Sequence, residues 1–195
     1  MEIAIHTPNL TTLLDRTAAL HKHLCPRQVL GVRMGMFAAE MLPFELSQSG
    51  KRLLAFVETD GCFADGLMVA TGCSLGHRTM RLIDFGKVAA TLVDTQTGKA
   101  VRLTPSPDAR ARAAALAPEA TNRWQTQLEA YQRIPNEELF VVREVFLTLD
   151  LAAIVGKPGM RARCSACGEE ILNQREVEID GRPLCRSCAG QGYWS

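Results

Sequence analysis

The chain has 195 residues, 47% of them hydrophobic, with 22 Lys and Arg against 21 Asp and Glu and a formal net charge of +1. That is enough apolar material for one ordinary core plus a small module. The charge balance excludes a surface built wholly to bind nucleic acid or an anionic membrane. The opening run MEIAIHTPNLTTLLDRT carries acids at Glu2 and Asp15 and no basic segment ahead of an apolar one, so it does not read as a signal peptide. Apolar stretches such as LFVVREVFLTLDLAAIV are broken by charge before the ~20 residues that a membrane span requires. The expectation is a soluble, cytoplasmic protein with no membrane contact.

Residues Asn9 to Leu24 read as a helix, with Leu10, Leu13, Leu14, Thr17 and Leu20 at three- and four-residue spacing. Pro26 ends it and opens a second helix, where the missing N–H costs nothing. That helix runs to about Leu42, and Pro43 stops it. Gly31 and Gly35, four apart, let another backbone approach on one face and offer a flat surface for close packing in a homodimer. A strand follows over residues 52–59, then a short helix after Cys62 that ends at Gly72, a plausible C-cap. Residues 81–105 read as strand, strand, a turn at Thr97-Gly98, and strand. Pro105 and Pro107 open a helical, Ala-rich region to about Arg133, punctuated by Pro118. Residues 140–149 alternate as one more strand. Gly156, Pro158 and Gly159 mark a linker. The order α-α-β-α-β-β-β-α-β predicts an α+β fold, a core of mixed helices and antiparallel sheet over residues 1–155. A small C-terminal module occupies residues 160–195.

That module holds four of the seven cysteines, Cys164-x2-Cys167 and Cys185-x2-Cys188. A two-residue gap turns both thiolates of a pair toward one point, and two pairs complete a tetrahedron around zinc. Asp180-Gly181 between the pairs signals a hairpin. A knuckle, a hairpin and a second pair describe a zinc ribbon or treble clef. Four thiolates fill the coordination sphere, so this zinc is structural. Six basic residues from Lys157 onward face five acids, and a zinc tetrathiolate adds about two negative charges. The finger is near neutral, which favours a protein contact or simple packing over nucleic acid.

The core holds a second candidate set: His21, His23, Cys25, Cys62 and Cys73. His21 and Cys25 lie four apart and share a helical face, whereas His23 points about 200° away from His21. Cys25 falls at a helix N-terminus, where the dipole favours a thiolate. Cys62 and Cys73 both lie at element ends, where sites are commonly built. A lone Cys behaves as a small hydrophobe; it is the grouping that points to a mixed His/Cys site for a second metal ion.

The run His21-x-His23-x-Cys25-Pro26-x4-Gly31-x-Arg33 resembles the opening motif of the FmdE family, named for a component of formylmethanofuran dehydrogenase. Residues 60–80 (DGCFADGLMVATGCSLGHRTM) and 84–92 (DFGKVAATL) resemble its second and third blocks. The resemblance implies an α+β core, often followed by a treble-clef finger, and a homodimer. It maps His21, His23, Cys25, Cys62 and Cys73 onto a core metal or active-site cleft, and Lys87 onto a recurring Gly-Lys pair. Lys22 and Arg27 stand where the family usually has glycine, so they would repel a divalent ion or draw an anion. Three functions follow: a metal-dependent enzyme or accessory factor in metal or redox metabolism, a zinc-finger binding module, and a metal-handling or redox-sensing protein. No Gly-rich phosphate loop, nucleophile elbow or dinucleotide fingerprint is present.

Overall fold

The computed structural model describes residues 9–42, 50–155 and 159–194. The chain divides into two compact units, Met1–Leu147 and Thr148–Ser195. The expected helix stop at Pro43 and the linker residues Gly156 and Pro158 lie outside the described residues.

In the first unit α1 spans Leu10–His21 and α2 spans Pro26–Met41. The Asn9 side chain accepts from the Thr12 N–H at 2.9 Å, which satisfies one of the free donors at the start of α1. Then come β1 (Leu53–Val57), α3 (Cys62–Thr71), β2 (Met80–Leu82), β3 (Ala90–Asp94) and β4 (Ala100–Pro105). Helices α4 (Ala109–Leu116), α5 (Arg123–Ala130) and the single turn α6 (Asn136–Leu139) lead into β5 (Phe140–Val145). The region opened by Pro105 is thus divided, and Pro118 lies in the gap between α4 and α5.

The five strands are ordered β2-β1-β3-β4-β5. The sheet is antiparallel except for β1 and β2, which run parallel with α3 as the crossover between them. Leu53, Ala55 and Val57 of β1 join Ala90 and Leu92 of β3 and Val101 and Leu103 of β4 in the core with α1, α2 and α3. β1 and β3 are buried along their whole length, as expected of central strands.

Helices α2 and α3 pack with backbones in contact. A Cβ on Gly31 would stand 2.2 Å from the Phe63 carbonyl oxygen, and one on Gly66 would stand 2.3 Å from the Gln28 carbonyl oxygen. Gly35 lies against Ala70 and Thr71. Residues 28, 31 and 35 therefore meet 66, 63 to 67 and 70 to 71 in rising order, so the two helices run parallel and their N-termini lie side by side. The flat glycine face that the sequence offers for a second copy is occupied within the chain.

The second unit holds α7 (Leu151–Val155), β6 (Arg161–Arg163) paired with β7 (Glu170–Leu172), and β8 (Val177–Ile179) paired with β9 (Arg182–Leu184). A short helical turn follows over Ser187–Gln191. The β8–β9 turn has φ of 51° at Asp180 and 71° at Gly181, the two left-handed positions that a tight two-residue hairpin requires. Among the described residues no helix is long and apolar enough to cross a membrane.

Candidate functional site

The bend between α1 and α2 is held by one buried side chain. Lys22 ends α1 in a left-handed conformation, and Cys25 is extended as the N-cap of α2. Gln28, wholly buried, accepts from the Cys25 N–H at 2.7 Å and donates to the Thr17 carbonyl at 3.3 Å. The start of α2 is thereby tied to the body of α1. Buried amides need such partners, so Gln28 fixes the position of Cys25 as it satisfies itself.

Next to this bend is the start of α3. Gly61 turns the chain with φ of 80°, which favours glycine, and Cys62 is the first helical residue. Nε2 of His21 lies 2.6 Å from Oδ2 of Asp65, one turn into α3. Burial, the neighbouring Cys25 thiol and the nearby Asp65 charge all push the Cys62 thiol up from the ordinary thiol range. A helix N-terminus acting alone would do the opposite. Asp65 thus bonds one nitrogen of His21, and Nδ1 of that ring has no hydrogen-bond partner among the described residues.

Two residues of the expected five stand apart from this group. His23 is exposed, its Nδ1 bonded to the His21 carbonyl at 2.9 Å and its ring edge-on to that of His21. Cys73 lies beyond the C-cap of α3, buried, with its Sγ donating to the Leu53 carbonyl at 3.5 Å. Burial pushes its thiol up. At 1.5 Å per residue, the helix between them places Cys62 and Cys73 roughly 15 Å apart. The expected convergence of His21, His23, Cys25, Cys62 and Cys73 on one cleft is therefore corrected. The structure brings together His21, Cys25, Cys62 and Asp65. Asp65 was legible as the acid three residues after Cys62; the clamp by Gln28 had no sequence signal beyond its place two residues after Pro26.

Lys22 and Arg27 are both exposed. Lys87 is exposed too, with Nζ 5.9 Å from the centre of the Phe85 ring. Arg33 of the opening motif is an internal brace: it donates to the carbonyls of Tyr131 and Ile134 and to Oδ1 of Asn136, which fastens α2 to the segment after α5.

In the second unit the ligand atoms of Cys164, Cys167, Cys185 and Cys188 all lie within 4.8 Å of one another. Sulfurs at about 2.3 Å from a central zinc stand about 3.8 Å apart in a tetrahedron, and Sγ of Cys167 and Cys185 are separated by 3.9 Å. Backbone N–H groups point at the sulfurs, from Cys185 to Cys164 at 3.3 Å and from Cys188 to Cys185 at 3.4 Å. Backbone donors bring the Cys164 thiol down to about 6, whereas its crowded neighbours push Cys188 up to about 12. Four adjacent thiols cannot all ionise unaided, and a divalent cation among them removes the conflict. The donor set fits a structural zinc with no free position. Among the described residues no other three His, Cys, Asp or Glu ligand atoms lie this close together.

An α+β core with Cys25, Cys62, His21 and Asp65 at two neighbouring helix starts, followed by a four-cysteine finger, defines a metal-binding protein of two units. The chain belongs to the FmdE family: residues 20–141 match the family described as FmdE, molybdenum formylmethanofuran dehydrogenase operon. Residues 159–191 match the prokaryotic dksA/traR C4-type zinc finger. The chain is 33% identical over 206 aligned residues to a "Probable S-adenosyl-L-methionine-binding protein" of Archaeoglobus fulgidus, covering 94% of this chain and 54% of that protein. It thus spans about half the length of that relative. Its fold is similar to that of an FmdE-like protein of the tungsten formylmethanofuran dehydrogenase type from Syntrophus aciditrophicus, with a TM-score of 0.63 and 21% identity over 98% of this chain and 100% of that one.

Proposed function

We propose that the core centre binds a thiophilic divalent metal through Cys25, Cys62 and Nδ1 of His21, and that the chain serves as an enzyme or accessory factor in metal or redox metabolism. The observation that carries this reading is the side-by-side start of α2 and α3, each beginning at a cysteine, with the His21–Asp65 pair beside them. A carboxylate on one imidazole nitrogen is the usual support for a ligand at the other. Two sulfurs and one nitrogen suit zinc or a related ion and leave a fourth position for water or substrate, the arrangement of a catalytic site. In this structure the three donors do not all lie within 4.8 Å, so binding requires them to draw together. The finger's zinc maintains the second unit and takes no part in chemistry.

Cobalt titration tests the reading. Full-length protein is expected to take up one ion beyond the finger's own, with sulfur-to-metal absorption. That second ion is lost in the Cys25→Ser/Cys62→Ser variant and kept in Cys73→Ser. No second ion in the unaltered protein, or loss of it in Cys73→Ser, removes the proposal. A second reading, a redox-sensing dithiol, is favoured by Cys62 and Cys25 being neighbours. Mass spectrometry after mild oxidation separates the two, since a sensor forms the Cys25–Cys62 disulfide and a metal centre protects both thiols. The Archaeoglobus relative's name supports the binding of a small molecule in addition. A homodimer is proposed on the family resemblance, because Gly31 and Gly35 are used inside the chain; static light scattering at micromolar concentration is expected to give twice the chain mass.

A further inference from the structure

Beside the proposed centre the first unit contains a cavity of about 340 Å³. It lies where β1 and β2 end: Val57 and Leu82, register partners in the parallel pair, line it together with Gly61, Ala64 and Asp65 from the start of α3. In open α/β arrangements the crevice outside the carboxyl ends of parallel strands is where ligands bind. The volume falls at the lower end of the ~300–1,000 Å³ common for small-molecule sites.

The walls specify the ligand. Met68, Leu75, Met80 and Leu82, with Val57 and Ala64, supply an apolar lining. Asp60 and Asp65 are the charged residues that line it, and no cation does. Asp65 is held by His21, whereas Asp60 has no hydrogen-bond or ion-pair partner among the described residues. The positive end of the α3 dipole, about half a charge, is outweighed by two carboxylates. An anion is therefore repelled. A cation rich in N–H donors would leave most of them unmet against methionine and leucine, which costs free energy. A methylated cation meets both surfaces, its charge attracted by the carboxylates and its methyl groups in contact with the apolar wall.

We infer that this cavity binds a small methylated organic cation, a sulfonium or quaternary ammonium compound, with its charge against Asp60 and Asp65. The inference names the ligand class of the proposed centre and rests on that reading for its link to Cys62 and His21; the cavity itself does not depend on a bound metal.

The test uses charged probes and their neutral twins on the full chain, by calorimetry at neutral pH. The pairs are S-adenosylmethionine against S-adenosylhomocysteine, and choline against 3,3-dimethylbutanol. At least one cation is expected to bind about tenfold more tightly than its twin. Asp60→Asn is expected to shrink that ratio. Leu75→Trp, at an exposed position on the rim, is expected to weaken the cation without lowering the unfolding midpoint. Equal affinity within both pairs, no saturable binding of either cation, or a ratio unchanged in Asp60→Asn overturns the inference. Repeating the cation titration on Cys25→Ser/Cys62→Ser keeps the two proposals apart: if the cation binds the variant and the unaltered protein alike while the unaltered protein takes up no second cobalt, the metal reading alone has failed.

Discussion

Gly31 of α2 and Phe63 of α3 meet through backbone, and a Cβ on the glycine would stand 2.2 Å from the phenylalanine's carbonyl oxygen. Such an overlap cannot be relieved by rotating a side chain; the helices must part. Gly31→Ala and Gly66→Ala are each expected to cost about 3 kcal/mol, the upper range for overpacking a core. Gly50→Ala, where nothing lies within 4 Å, is the control and should change little. Urea unfolding checks this, and a loss below about 1 kcal/mol at Gly31 would contradict the close crossing.

The finger is expected to hold one zinc per chain. Cys164→Ser/Cys167→Ser should lower the metal content by one equivalent and unfold the second unit, because metal binding and folding are coupled in such modules. Atomic emission on the purified protein measures the first effect and proteolysis of the tail the second. Unchanged metal content would refute the assignment.

Native thiol reactivity should separate the core cysteines. Cys73 is buried, with its Sγ bonded to Leu53, and is expected to be modified last. Cys62, which is partly exposed, should react first among the three. Its elevated pKa makes the rate climb through the alkaline range, since only the thiolate attacks. Alkylation followed by peptide mapping at several pH values gives the order directly.

Asp94 is buried and receives two bonds from Arg52, at 3.2 and 3.0 Å. The Arg52 guanidinium holds its carboxyl below the usual carboxylate range. A folded pKa below the unfolded one contributes stability that is present above the unfolded pKa of about 3.9 and lost as pH falls through the folded value. Asp94→Asn should therefore lower the urea midpoint clearly at pH 7, and the gap from the parent protein should narrow below about pH 4. A gap that is constant with pH would mean that Arg52 contributes nothing through charge.

Much of this architecture was legible in the residues. Asn9, Pro26 and Gly72 punctuate the first three helices through local chemistry, and Thr97-Gly98 and Asp180-Gly181 turn the chain where glycine tolerates positive φ. The four finger cysteines declared themselves by spacing. The core site was only half readable. Helical periodicity separated His21 from His23, as the structure has it, and the helix expected from Cys62 to Gly72 already carried Cys73 to its far end; grouping the cysteines by type overrode that signal. That separation follows from the length of the helix. The parallel pairing of β1 with β2 was hidden because a three-residue edge strand has too few positions to show its alternation. Gly31 and Gly35 announced a close approach, expected to serve a second copy, and the partner proved to be α3.

The two ends of the sheet have a consequence for how copies of this chain can meet. β2 offers only three residues at one edge, and β5 at the other carries exposed Arg143 and Glu144. A short edge and a charged edge are both poor templates for strand-by-strand growth. Among the described residues, strand-to-strand pairing between copies is therefore disfavoured at both edges of the sheet.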